Sequence, residues 1–60
     1  MKATSLTILR KRLGHSQRHM AELLGIGRRS LSNYESDATP VPRVVALACA
    51  ALAFGLPAME

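Results

Sequence analysis

Apolar residues recur at intervals of three and four along this chain, interrupted by short runs rich in glycine, serine or proline, so the pattern predicts helices joined by tight corners. Leu6, Leu9 and Leu13 form the stripe of a first helix over about Ser5–Leu13, with Thr4 or Ser5 as its cap and Gly14 as its stop. Ser16 caps a second helix over about Gln17–Leu24, whose apolar face is Met20, Ala21 and Leu24. Gly25 ends it, Ile26 re-enters the core, and Leu31 with Tyr34 marks a third helix over about Arg28–Glu35. Ser36, Asp37, Ala38, Thr39 and Pro40 read as a loop. Pro42 suits the first turn of a fourth helix, about Pro42–Phe54, which Gly55 and Pro57 stop. No strand signal, internal repeat or low-complexity tract interrupts this order, and the expectation is an all-α fold with residues 1–60 as one domain.

The corner at Gly25 changes that outline into a functional reading. The turn is too short for anything but a sharp meeting of two helices, Ala21 is small where they cross, and glycine takes the left-handed conformation without steric cost. With Leu31 and Tyr34 turned inward, Arg28, Arg29, Ser32 and Asn33 are left pointing outward. These residue types bond to base edges and phosphates. An arginine can reach guanine O6 and N7 with two parallel bonds, asparagine can pair with adenine N6 and N7, and serine can serve as a short local donor. Which of Arg28 and Arg29 reads a base and which only touches phosphate stays open.

Arg10, Gly14, Ser16, Gln17, Ala21, Leu24, Gly25, Ile26, Leu31, Tyr34 and Glu35 follow the order and spacing of a known family. Across about Leu6 to Phe54 the chain resembles the helix-turn-helix proteins of the phage Cro and phage repressor type, often called XRE-like. The resemblance implies a compact four-helix, lambda-repressor-like domain that binds double-stranded DNA through its third helix. Two positions depart from the family pattern. His15 stands where the family usually has leucine, and Gly27 stands where serine or threonine usually caps the reading helix, which weakens that cap by only about a few tenths of a kcal/mol.

A helix held in a groove also needs donors to the flanking phosphates. Gln17 begins the second helix, where free backbone N–H groups favour an anion, and the resemblance implies that its side chain clamps a phosphate. Arg18 and Arg43 each begin a helix and add to the field, Ser36 and Thr39 can donate from the loop, and Lys2, Lys11 and Arg12 act at longer range. Arg10 and Glu35 lie on the apolar sides of their helices and are badly placed for DNA. By resemblance they pair with each other across the first and third helices, a structural ion pair that holds the reading helix in orientation.

Charge and composition narrow the function further. The eight Lys and Arg outweigh the four Asp and Glu, and all eight lie between Lys2 and Arg43, which gives a basic front and an apolar tail. The wholly apolar run from Val44 to Phe54 is eleven residues long, against the roughly 20 needed to cross a bilayer, so it reads as a buried or interface helix rather than a membrane span. A single cysteine, Cys49, allows no disulfide within the chain and no thiolate-rich metal site, and the first residues hold no apolar run of signal-peptide type, so the expected location is cytoplasmic. The chain supplies neither a nucleophile with its base nor a paired acid and base, so no enzyme is expected. His15 and His19 are four apart, but the Ser16 cap between them assigns His15 to the turn, and the rings need not share a face. No metal, cofactor or small-molecule ligand is therefore expected.

A domain of this length buries only about 60% of its unfolded surface, so a partner subunit is expected on physical grounds. The reading is a sequence-specific transcriptional regulator, a repressor because no residues are left over to contact polymerase or sense a ligand. It acts as a homodimer on a two-fold operator, joined through Cys49, Leu52, Phe54, Leu56 and Pro57. The competing reading is an antitoxin-like or assembly module whose apolar C-terminal helix binds a different protein.

Overall fold

The computed structural model of the chain describes residues 1–56. Its order is α1 (Ala3–Leu13), α2 (Gln17–Leu24), α3 (Arg28–Glu35) and α4 (Arg43–Ala53), with no strand among the described residues. The fold is all-α. α3 packs on α1 and α2, and α4 packs on the same two helices. One helix pair thus supports both the proposed reading helix and the apolar one.

α1 begins two residues earlier than the pattern predicts, and neither Thr4 nor Ser5 caps it. Lys2 is the flanking residue, in extended backbone, and its carbonyl accepts from the N–H groups of Ser5 at 3.1 Å and Leu6 at 3.2 Å. Ala3, the best helix former, extends the helix at no side-chain entropy cost. Ser16 does cap α2: its Oγ accepts from the His19 N–H at 3.1 Å. Pro42 flanks α4 rather than opening it, and the helix ends at Ala53, one residue before Phe54.

The corner at Gly25 has φ 71°, and the carbonyls left over at the end of α2 are closed by Gly25 N–H to Glu22 O at 3.2 Å and Ile26 N–H to Ala21 O at 3.0 Å. This paired arrangement turns the chain sharply and returns Ile26 to the core. After α3 the same solution recurs without a glycine. Asp37 takes φ 64°, and Ala38 N–H reaches Asn33 O at 3.0 Å. Aspartate tolerates that region better than most residues.

The core takes a residue from every helix: Leu6, Met20, Ala21, Leu31, Val45 and Cys49 are buried, with Leu9, Leu24, Ile26, Tyr34, Val41 and Leu52 packed around them. This corrects the expectation for the fourth helix. Cys49 is only 1% exposed and lies one turn from Val45 on the inward face, so it belongs to the chain's own interior and is not a surface residue. Leu52, one turn further, is half-buried against the same cluster. Val44, Leu47, Phe54 and Leu56 are the large apolar side chains that α4 and its end leave in water. Pro57 lies outside the described residues. Among the described residues no helix is long and apolar enough to cross a membrane.

Burial also pushes the Cys49 thiol above its ordinary pKa, because the thiolate is poorly solvated there. Two predictions follow from these placements. An alkylating reagent should modify native Cys49 only as fast as the chain unfolds, whereas denatured chain reacts at once; fast native alkylation, followed by mass spectrometry, would contradict the burial. Gly25→Ala should cost about 1 to 2 kcal/mol, purely from the left-handed backbone, since a Cβ there meets no atom within 4 Å. Urea unfolding measures it.

Candidate nucleic-acid interface

α3 is amphipathic along its whole length. Leu31 is fully buried and Tyr34 half-buried on one side, while Arg28, Arg29, Ser32 and Asn33 are all exposed on the other. Helical geometry sets this division, because positions 28, 29, 32 and 33 share one broad face at spacings of one, three and four. Among the described residues neither Arg28 nor Arg29 has a carboxylate partner. Gly27 precedes them in extended backbone and offers no side-chain cap, so the first-turn amides stay unbonded by side chains.

Gln17 is half-buried as the first residue of α2, and Arg43 is exposed as the first residue of α4. Arg18 is exposed and lies 3.8 Å from Glu22 one turn on, a solvent-screened contact of little energetic weight. Ser36 is exposed, and its hydroxyl donates to the Asn33 carbonyl at 3.3 Å, so it acts locally in closing α3. Thr39, Lys2, Lys11 and Arg12 are exposed without side-chain partners among the described residues.

Arg10 and Glu35 meet inside the molecule. Arg10 Nε donates to Glu35 Oε2 at 2.9 Å and Oε1 at 3.1 Å, with side chains 16% and 6% exposed. Two further bonds complete the arrangement. Thr7 Oγ1 donates to Glu35 Oε1 at 3.1 Å, and Arg10 Nη1 donates to the His15 carbonyl at 3.0 Å. One guanidinium therefore ties α1 to the end of α3 and to the corner that opens α2. Thr7 was not singled out from sequence, although it lies three residues before Arg10 on the same helix face, which is the available signal. No buried side-chain polar atom among the described residues is left without a partner.

The two histidines also come together, although the Ser16 cap between them meant that the rings need not share a face. Their ring centres are 4.7 Å apart and the planes are inclined at 63°. His15 lies just before the Ser16 cap and His19 in the first turn that the cap opens, and the two rings meet there.

Outside α3, the structure exposes apolar side chains at Val44 and Leu47 on α4 and at Phe54 just past its end, 76%, 60% and 83% exposed, with Leu56 beyond them. Sequence reasoning found Phe54 and Leu56 but missed Val44 and Leu47. A helix apolar on every side carries no contrast from which to tell its inner face.

The profile of the helix-turn-helix domain family matches residues 3–60, and the chain belongs to that family. This is consistent with the XRE-like resemblance of its motif. Such domains are typically non-enzymatic, and membership points to a DNA-binding regulator with DNA as its partner. No curated protein and no solved structure matches the chain.

A prediction follows from the ion pair. Arg10→Ala leaves the Glu35 carboxylate buried without its cation, a loss of about 3 to 5 kcal/mol. A chain of this size has only about 3 to 9 kcal/mol of total stability. Arg10→Ala should therefore remove much or all of that stability, lowering the melting temperature steeply or abolishing the cooperative transition, and a melt unchanged from the parent would refute the structural role.

Proposed function

We propose that the chain is a sequence-specific double-stranded DNA-binding transcriptional regulator, a repressor that acts as a homodimer on a two-fold operator. The observation that carries this is the exposed face of α3: Arg28, Arg29, Ser32 and Asn33 stand free of the core on a helix whose opposite side is anchored by Leu31. In this reading the N-terminal turn of α3 enters the major groove. Arg28 and Arg29 supply the bidentate contact to guanine, Asn33 reads adenine, and Ser32 donates locally. Gln17, Arg18 and Arg43 hold the flanking phosphates, with Ser36 a weaker contributor because its hydroxyl already serves Asn33. A helix seated in the groove blocks other proteins from the same bases, which is repression without any further part.

The dimer joins through the apolar surface of α4. Of the residues first expected there, Phe54 and Leu56 fit by exposure, Val44 and Leu47 replace Cys49 and Leu52, and Pro57 is the continuation of the chain. Half-sites about 34 to 36 Å apart suit such a pair. The single buried thiol suits a reducing, cytoplasmic setting. The same exposed surface favours a second reading, in which α4 binds a different protein and the chain serves as an antitoxin-like or assembly module.

Salt and substitution separate the two. If several phosphates are neutralised, the logarithm of affinity should fall with the logarithm of salt at about 0.9 per phosphate. Arg29→Ala should relax preference at one base position, while Gln17→Ala should weaken all sequences alike. Selection from a random duplex pool, repeated with each variant, reads out both effects and the symmetry of the site. A parent that selects no consensus, or variants that select and bind as the parent does, would remove α3 as the reading face.

A further inference from the structure

We propose that His15 and His19 form a two-imidazole chelate for one divalent transition-metal ion of the zinc, nickel or copper type, at the corner between α1 and α2. The spacing of the rings carries the inference. An imidazole bound through nitrogen at about 2.0 to 2.1 Å has its ring centre about 3.2 Å from the metal. Two such rings on one ion are then about 4.5 Å apart at a right-angled bond pair and about 5.2 Å apart at a tetrahedral one. The observed 4.7 Å falls between these limits.

Both backbones are already fixed. The His15 carbonyl is held by Arg10 Nη1 at 3.0 Å, and the His19 N–H is held by Ser16 Oγ at 3.1 Å. Only the rings need turn, and His19 is exposed, so the ion has access from solvent. Preorganisation of this kind lowers the ordering cost of binding. Neutral imidazole is a ligand suited to zinc, copper and nickel. Among the described residues no group of three His, Cys, Asp or Glu side chains surrounds the pair, so water fills the remaining positions of the ion. The site is a weak, open chelate rather than a closed structural centre, and binding it stabilises the folded chain by mass action. The inference does not rest on DNA binding.

The test is calorimetric titration of the full chain with Ni2+, and separately Zn2+, at neutral pH without DNA, alongside His15→Asn and His19→Gln. The parent should bind one ion per chain, and each variant should bind at least tenfold more weakly. The melting temperature should rise with metal for the parent alone. His19→Gln alters an exposed side chain, so its fold is retained and the comparison stands even if His15→Asn is unstable. Absence of binding, equal binding by the parent and either variant, or one ion per two chains overturns the proposal.

Discussion

The ion pair between Arg10 and Glu35 is the constraint on which the geometry of this molecule depends, because α3 is only eight residues long and would not hold a helix alone. Burying Leu31 with Tyr34 packed beside it sets the inward side of α3, but neither residue ties the end of the helix to α1. The two oxygens of Glu35 do, since Arg10 reaches both and Thr7 reaches one. Desolvating the two charges is expensive, and their attraction offsets that only with such geometry. The return is directional, and it sets which way Arg28, Arg29, Ser32 and Asn33 face.

Local electrostatics run against stability at the same helix. None of the four helices carries an acidic residue in its first turn, and α3 begins with two arginines at the positive end of its dipole. Each misplaced charge costs about 0.3 to 1 kcal/mol. Gly27 adds a small further loss by offering no cap hydroxyl. The proposed reading face accounts for this departure from local preference, which has no structural compensation nearby. α1 shows the opposite arrangement, with Arg10, Lys11 and Arg12 in its last turn where the dipole favours them.

Much of the fold was legible because its corners rest on residue types with few other uses. Gly14 and Gly25 occupy left-handed conformations, Ser16 caps α2, and so the end of α1 and both ends of α2 follow from sequence. The start of α1 was harder, since Thr4 and Ser5 resemble caps while the Lys2 carbonyl does that work through the backbone. The outer face of α4 was not readable at all. Alanine, valine, leucine and cysteine on every side leave the phase of the helix to be decided by tertiary packing, which turned Val45 and Cys49 inward and left Val44 and Leu47 out. At the candidate site, the outward set on α3 could be listed from periodicity because Leu31 and Tyr34 define the inward side. Thr7 could not be foreseen because its bond depends on how α3 packs on α1, and the histidine rings could not because their meeting depends on how the chain turns into α2.

The enclosure of Glu35 has a consequence for how the protein responds to its medium. Mobile counterions weaken attraction between exposed charges within about one Debye length, roughly 8 to 10 Å under ordinary conditions, but act far less on a pair withdrawn from solvent. The long-range pull of the surface guanidinium groups and the rigidity of the helix that carries two of them are therefore governed separately. Changing the ionic atmosphere tunes the first while the second stays as folding left it.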